Sequence, residues 1–217
     1  MTDLASVLAA GAQGLGLNLS VGQSQQLLDL LSELADWNTR FNLTAIDDPA
    51  EGVRKHLLDS LSIHACLQGR SVADVGSGAG FPGLPLAIVD PQREFTLIEA
   101  TGKKARFLEH ARRRLHLDNV RVINSRAEQF KPAQRFDTVI ARALGKLTEF
   151  IRVAGHLAAP GGRLLAMKGQ FPAAELQELP QGWQATLVQR LVVPGLDAQR
   201  HLVELQKKAD ARSRRRH

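Results

Sequence analysis

The stretch that decides the fold is Ser71-Val-Ala-Asp-Val-Gly-Ser-Gly-Ala-Gly-Phe-Pro-Gly83. Residues 71–75 are typical of a buried strand and residues 76–80 of a tight loop, and a helix is predicted to follow through residues 84–89. Four glycines lie within eight residues here. Because glycine adopts a positive φ without steric cost and carries no Cβ, a small molecule can lie against this main chain beside a helix N-terminus.

The residues around these glycines indicate which small molecule is bound. Residues 78–83 match the dinucleotide pattern G-x-G-x-x-G. However, Asp74 precedes Gly76 by two residues, and Asp-x-Gly-x-Gly-x-Gly at a strand end is the pattern of S-adenosylmethionine (SAM) binders. A carboxylate there faces the sulfonium and amino groups of SAM, whereas it would repel a pyrophosphate. The pattern therefore favours SAM, with a dinucleotide or a loop without a ligand as the alternatives.

Two further segments are expected to meet the same ligand. The strand at residues 95–99 ends in Glu99, whose carboxylate can accept hydrogen bonds from ribose hydroxyls. SAM and a dinucleotide both carry a ribose, so Glu99 does not distinguish between these two cofactors. The loop after the strand at residues 120–124 is the third at the carboxyl edge, so the backbone groups of Ala127 and Glu128 are expected beside the adenine.

Strand and helix patterns alternate from Val72 onward. Strands are predicted at residues 71–75, 95–99, 120–124, 136–141, 163–168, 184–193 and 200–206, and helices near 84–89, 103–117, 146–157 and 172–179. This alternation predicts a parallel sheet covered on both faces. The last two strands have a connection too short for a parallel crossover, so they should form an antiparallel hairpin. The fold class is α/β, a Rossmann-like class I SAM-dependent methyltransferase with a mostly parallel sheet of seven strands.

The residues before this alternation are predicted to form a helical extension. Helices are predicted at residues 4–15 and 23–41, the second with Ser20 as its N-cap, and a third begins at Asp48-Pro49. We therefore divide the chain into a helical extension, a methyltransferase domain and a basic tail. The predicted bounds are 1–68, 69–206 and 207–217.

The third predicted helix carries His56 and Asp59. Their separation of three residues brings the two side chains within reach of each other. A structural hydrogen bond between them is one interpretation, and contact with cofactor or substrate from above is the other. No second histidine or cysteine has the spacing of a metal site, so no metal is expected.

Composition limits the number of cores, the disulfides and the compartment that are expected. A chain of 217 residues with 44% hydrophobic content supports one good core. The single cysteine, Cys66, rules out an internal disulfide. No apolar run approaches the length that spans a bilayer, and the N-terminus lacks the regions of a signal peptide. The cytoplasm is the expected compartment, and a monomer is expected because no long apolar stripe requires a dimer.

Positive charge is concentrated in two segments. The net charge is +6, and residues 207–217 carry six positive charges and one negative. This tail is typical of an electrostatic arm for a polyanion, or of a solubilising end. The predicted helix at residues 103–117 holds six lysines and arginines and one acid, which indicates either a phosphate-contacting patch or a solvated face.

Three cations follow three different predicted strands. Arg126 comes after the third strand, Arg142 after the fourth and Lys168 after the fifth. Because the carboxyl ends of parallel strands meet at one edge, these side chains are expected to converge on the rim of the cofactor pocket. They are the candidate catalytic residues.

Taken together, the motifs resemble a known family, the bacterial ribosomal RNA small-subunit methyltransferase G, also called glucose-inhibited division protein B. The resemblance covers about residues 27–205. It is carried, in order, by Trp37-Asn38 with Asn42-Leu43-Thr44, His56 with Asp59-Ser60, Asp74–Gly83, Ser125–Glu128, Ala141-Arg142-Ala143, Lys168-Gly-Gln170 and Arg200-His-Leu-Val203.

The resemblance implies that a methyl group passes from SAM to N7 of one guanine, guanine 527, in the decoding-region loop of 16S rRNA. The implied partner is 16S rRNA, as the small ribosomal subunit or its assembly intermediate. It also implies cofactor contacts at Gly76, Phe81, Ala127, Glu128 and Arg142. The candidate cofactor-binding residues are then Asp74, Gly76, Gly78, Gly80, Phe81, Glu99, Ala127, Glu128 and Arg142.

The chemistry of guanine N7 agrees with what the sequence lacks. N7 is a free lone pair at neutral pH, so no general base is needed. There is no Asn/Asp-Pro-Pro-Tyr/Phe run after the fourth predicted strand, and no cysteine lies near a pocket loop. An arginine fork on O6 and N7 would block the reacting atom. We therefore expect Arg126, Arg142 and Lys168 to hold phosphates or O6 alone, or to brace the cofactor.

Parts of the sequence are compatible with three other functions. A SAM-dependent methyltransferase of a small molecule or a protein shares the fold, but the basic rim and tail argue against it. A non-catalytic ribosome assembly factor would not need the intact residues Asp74, Gly76, Gly78 and Glu99. A nucleotide-dependent oxidoreductase is disfavoured by Asp74.

Overall fold

The protein, in a computed structural model that describes residues 3–208, is built on one seven-stranded sheet. Its strand order is β3-β2-β1-β4-β5-β7-β6. The strands are β1 (Ser71–Val75), β2 (Glu94–Glu99), β3 (Val120–Asn124), β4 (Phe136–Arg142), β5 (Ala158–Lys168), β6 (Trp183–Leu191) and β7 (Arg200–Lys207). The predicted Rossmann-like fold is confirmed, including the antiparallel pairing of β6 with β7.

β1, which begins the glycine-rich stretch, lies inside the sheet between β2 and β4. β1 pairs in parallel with β2 on one side and with β4 on the other. Its four residues from Val72 to Val75 are buried, as expected for a strand covered on both faces. The strand order reverses between β1 and β4, and this switch point opens a crevice at the carboxyl edge.

Helices cover both faces of the sheet. In chain order they are α1 (Leu4–Gly14), α2 (Val21–Phe41), α3 (Pro49–Gly52), a π-helix (Val53–Leu58), α4 (Asp59–Leu61), α5 (Gly83–Val89), α6 (Gly102–Arg114), α7 (Leu147–Ala154) and α8 (Ala173–Gln177). Short 3₁₀ turns lie at His64–Cys66 and Ala127–Gln129. None of the helices within residues 3–208 has the length and apolar character needed to cross a bilayer.

Three elements, β5, α6 and α7, begin or end at residues other than those predicted. β5 begins at Ala158, five residues before the predicted start, because Ala158 pairs with Phe136 across a bulge. α6 ends at Arg114 rather than residue 117, since His116 has φ 53°. α7 ends at Ala154, where Gly155 follows.

The N-terminal helices share a core with the sheet. Leu27 and Leu30 of α2 are fully buried and belong to the same apolar cluster as Phe95 and Leu97 of β2. At the end of α2 the Asn38 side chain accepts hydrogen bonds from the backbone N–H groups of Leu43 (2.7 Å) and Thr44 (2.9 Å). The predicted division at residue 68 stays a prediction. Most of the predicted basic tail, from residue 209 onward, lies outside the described residues.

Replacing the N-cap of α2, Ser20→Ala, is expected to lower the free energy of unfolding by about 1 kcal/mol. The Ser20 hydroxyl accepts from Gln23 N–H at 3.1 Å, and the Gln23 side chain accepts in return from Ser20 N–H at 3.0 Å. Urea unfolding measures the change. Ser24→Ala in the same turn is the control and should be neutral, because alanine favours a helix interior; equal losses in both variants would contradict a capping role.

Candidate active site

The glycine loop is held in backbone geometry that only glycine adopts readily. Gly76, Gly78 and Gly80 have φ values of 68°, 60° and 91°. A Cβ on Gly76 would lie 2.9 Å from Cδ1 of Leu144, and one on Gly80 would clash with the Leu84 side chain. Positive φ and close approach together explain why this loop is glycine-rich.

A cavity of about 240 Å³ lies at the carboxyl ends of β1, β2 and β3. It brings together the three segments that the sequence assigned to the cofactor. The lining residues among these are Gly76, Glu99, Ala127 and Glu128. Leu144 and Arg126 complete part of the wall.

A larger cavity, about 810 Å³, lies elsewhere, at the amino ends of β1 to β4. Its lining includes Arg70, Arg121 and Arg135. Ligands of open parallel sheets bind outside the carboxyl ends of the strands. The smaller cavity, beside the glycine loop, is therefore the candidate active site.

Asp74 is buried beside this loop with one oxygen unused. Its side chain Oδ2 accepts from Gly83 N–H at 3.0 Å, while Oδ1 has no hydrogen-bond partner among residues 3–208. Burial raises the pKa of Asp74 from 3.8 to about 7, against the lowering effect of the Gly83 N–H. A buried, unpartnered carboxylate oxygen fits a ligand that brings a positive charge.

Glu99 is fixed by backbone donors on either side. Its Oε2 accepts from Gly78 N–H at 2.9 Å and its Oε1 from Thr101 N–H at 2.7 Å. The residue is 6% exposed and lines the cavity. Because each carboxylate oxygen has a further lone pair, Glu99 remains able to accept hydrogen bonds from a diol such as ribose.

An aromatic stack lies next to the glycine loop. The His56 ring stacks on Phe81 with 4.4 Å between centroids and 13° between planes. The guanidinium carbon of Arg142 lies 5.5 Å from the centroid of the Phe81 ring, within cation–π range. Burial, together with the charge of Arg142, lowers the pKa of His56 to about 4. The imidazole is therefore neutral at neutral pH.

Two arginines share one buried carboxylate. Asp59, 1% exposed, accepts from Arg142 Nη1 at 3.1 Å on Oδ2 and from Arg200 Nε at 2.8 Å on Oδ1. Arg142 also donates to the backbone oxygen of Lys55 at 3.0 Å. We call Asp59, Arg142 and Arg200 the Asp59 bracket. It joins the N-terminal helices to the ends of β4 and β7.

The predicted hydrogen bond between His56 and Asp59 is wrong. His56 Nε2 instead lies 3.0 Å from the Thr44 hydroxyl, and both Asp59 oxygens face arginines. The segment from Val53 to Leu58 is a π-helix. Because a π-helix has more residues per turn than an α-helix, two residues three apart no longer lie on the same side of the helix.

A profile of the family described as rRNA small subunit methyltransferase G matches residues 23–203. The chain belongs to this family. The protein of that name from Nitrosococcus oceani is 48% identical over 200 residues, covering 92% of this chain and 94% of the relative. The corresponding protein of Stenotrophomonas maltophilia is 50% identical over the same shares.

Solved structures show the same fold. A SAM-dependent methyltransferase from Aquifex aeolicus has a TM-score of 0.56 and 20% identity, with 76% of this chain and 96% of that chain covered. A SAM-dependent methyltransferase from Thiobacillus denitrificans in complex with S-adenosyl-L-homocysteine has a TM-score of 0.51 and 13% identity, covering 70% and 91%.

In this member of the methyltransferase G family, the three candidate cations have different surroundings. Arg126 is exposed and lines the cavity. Arg142 is held in the Asp59 bracket. Lys168 donates to the backbone oxygen of Gly145 at 2.8 Å and lies 2.8 Å from an oxygen of Glu175. The cations thus occupy one edge of the sheet, but two of the three are already paired.

Sequence reasoning missed two residues that belong to these networks, the second arginine on Asp59 and the carboxylate that pairs with Lys168. Arg200 was noted only as part of a motif, and Glu175 was not singled out. Arg200 follows an antiparallel strand connection, so its position at the carboxyl edge depends on β7 lying between β5 and β6. The signal that could have identified it is an arginine at the start of a strand that runs opposite to β5.

Proposed function

We propose that the protein transfers a methyl group from SAM to N7 of guanine 527 of 16S rRNA. The supporting observation is the unpartnered buried oxygen of Asp74 beside a glycine cradle, in a chain that matches the rRNA small subunit methyltransferase G family over residues 23–203. The Asp74 oxygen suits the cationic end of SAM. Family membership supports the RNA substrate.

The candidate residues offer a partner for each part of SAM. Asp74 would hold the amino group, and Gly76, Gly78 and Gly80 would let the ligand lie against the main chain. Glu99 would accept from the ribose hydroxyls. Ala127 and Glu128 would contact the adenine through their backbone groups. Phe81 and Arg142 would cover the ligand from the side of the N-terminal helices.

When bound, SAM supplies a methyl carbon whose bond to sulfur breaks as the N7 lone pair forms the new bond, so that the positive charge passes from sulfur to the base. The protein removes no proton, because guanine N7 carries none. Its task is to align N7 with the methyl carbon, and orientation of this kind contributes on the order of 7–11 kcal/mol in favourable cases. With a pKa of about 4, His56 is a weak proton acceptor, which agrees with a site that needs no general base.

The arginines are proposed to orient rather than to react. Arg142, held by Asp59 and lying over Phe81, braces the cofactor side of the pocket. Arg126 is exposed on the cavity rim and is proposed to hold an RNA phosphate or guanine O6. Lys168, tied to Gly145 and Glu175, holds the loops after β4 and β5 together. In none of these roles does an arginine guanidinium bind guanine O6 and N7 together.

The proposed partner is the small ribosomal subunit or its assembly intermediate, and the proposed compartment is the cytoplasm, where ribosomes are assembled in bacteria. The protein is proposed to act as a monomer.

Methyl transfer from labelled SAM tests the proposal. The substrates are 16S rRNA and small subunits from cells that lack the modification, and the nucleosides are then resolved by mass spectrometry. A 7-methylguanosine peak that maps to one site is the expected result. SAM binding without transfer to either substrate would overturn the rRNA assignment and favour a small-molecule or protein substrate.

SAM affinity is expected to rise about tenfold between pH 6 and pH 8, as titration calorimetry can measure. The pKa of Asp74 in the free protein is about 7, so the carboxyl is mostly neutral at pH 6 and ionised at pH 8. A cationic ligand binds the ionised form, and a group with this pKa changes its ionised fraction about tenfold over the interval.

The matched variant is Asp74→Asn, which should bind SAM more weakly and without this pH dependence. The pKa of Asp74 in the folded state lies above the unfolded value of 3.8. The free wild-type protein therefore loses stability as the pH rises through 7, and the variant should not. The same pH dependence in both proteins would exclude Asp74 as its source.

A further inference from the structure

Phe171 exposes an aromatic ring at the edge that carries the candidate active site. It follows the Lys168-Gly-Gln170 segment, directly after the carboxyl end of β5. The residue is 55% exposed, and it is the only aromatic among the large hydrophobic residues that are exposed within residues 3–208. An exposed phenylalanine stands out in a chain with 5% aromatic residues and no tyrosine.

The ring rests on a buried support. His201 is 8% exposed, and its ring meets Phe171 edge-on with 5.7 Å between centroids and 71° between planes. His201 Nδ1 lies 3.2 Å from the Gly169 backbone oxygen, and His201 pairs with Lys168 across the β5–β7 ladder. The support is therefore part of the sheet. We call Phe171 and His201 the aromatic platform.

Two connections tie the aromatic platform to the candidate active site. Arg200 precedes His201 and belongs to the Asp59 bracket. Asp59 connects it to Arg142, whose guanidinium lies over the Phe81 ring. On the other side, Lys168 donates to the Gly145 oxygen, next to Leu144 in the cavity wall. Phe171 thus stands on the same rim as the pocket, beyond the end of β5.

We propose that the aromatic platform stacks the target guanine after it leaves the RNA stack. The inference rests on the proposed function. Enzymes that act on a nucleobase take it from a single strand or turn it out of its stack, and an aromatic side chain can then hold its π-face. Stacking leaves the edge of the guanine free, so N7 stays open to the methyl carbon. An arginine fork, the usual reader of guanine, covers that edge.

The first variant is Phe171→Ala. Its kcat/KM for methyl transfer to unmodified small subunits is expected to fall about 5- to 150-fold, the range that loss of one base–aromatic stack produces. Its Kd for small subunits without SAM, measured by filter binding, is expected to rise by at least a few-fold. Its Kd for SAM alone is expected to stay unchanged, since Phe171 does not line the cofactor cavity.

Two further substitutions separate stacking from simple apolar contact. Phe171→Trp is expected to retain activity within a few-fold of the wild type, because tryptophan keeps a π-face. Phe171→Leu keeps the apolar bulk without the ring and is expected to resemble Phe171→Ala. Full activity of Phe171→Leu would overturn stacking and favour an apolar contact with a ribosomal protein.

The control is Val21→Ala, which removes a 90% exposed apolar side chain from the start of α2 and should leave all three measurements unchanged. If wild-type protein transfers no methyl group to small subunits, the proposed function fails. If the wild type is active and Phe171→Ala stays within twofold of it in both kcat/KM and subunit Kd, the aromatic platform fails and the proposed function stands.

Discussion

The Gly76→Val substitution is expected to raise the Kd for SAM by about 100-fold or more, which corresponds to about 3 kcal/mol. Gly76 has φ 68° and lines the cavity, and any Cβ there meets Leu144 at 2.9 Å. Two additional methyl groups would enter the space that the ligand needs. Isothermal titration calorimetry with SAM measures the loss.

The matched control is Gly16→Val. Gly16 has φ 76°, and a Cβ there meets nothing within 4 Å. Both variants carry the backbone strain of a β-branched residue at positive φ, on the order of 1–3 kcal/mol, but only Gly76→Val changes the cavity. SAM binding by Gly76→Val within threefold of the wild type would mean that this cavity is not the cofactor site.

The Asp59→Asn substitution is expected to cost about 2–3 kcal/mol of unfolding free energy and to lower kcat/KM for methyl transfer at least tenfold. Removing the charge leaves Arg142 and Arg200 without their shared carboxylate. Breaking a buried ion pair usually costs about 3–5 kcal/mol; the smaller figure applies because the two arginine side chains remain 23% and 24% exposed. Activity falls because Arg142 is no longer fixed over Phe81.

Urea unfolding and steady-state kinetics measure the two effects of Asp59→Asn. The control is Glu178→Gln, which removes the ion pair between Glu178 Oε2 and Lys146 Nζ, 3.5 Å apart. The Glu178 side chain is 55% exposed and the Lys146 side chain 68%. An exposed pair of this kind is worth about 0–1 kcal/mol, so stability should hardly change. Equal losses in the two variants would show that burial of Asp59 does not strengthen its contacts.

Local sequence was sufficient for the elements that depend on neighbouring residues. The strand at Ser71–Val75 and the glycine loop after it are encoded within thirteen residues, and the structure has them where they were predicted. The N-cap at Ser20 is equally local. Hydrophobic alternation gave the order of strands and helices, because each strand needs both faces covered.

Long-range contacts could not be read in this way. Asp59 was noticed, but its arginines lie 83 and 141 residues away, and no local pattern joins them. The predicted pairing with His56 failed because a π-helix changed the register of the turn. The burial of Asp74, which raises its pKa, likewise depends on residues from several elements.

The Asp59 bracket also has a consequence for the order in which the protein is made. During synthesis, Asp59 is added to the nascent chain 141 residues before Arg200. At roughly 5–20 residues per second, this interval lasts about 7–28 s. Throughout it the nascent chain has a carboxylate without its full set of arginines. The site is therefore assembled only near the end of translation, and an incomplete chain is not expected to be active.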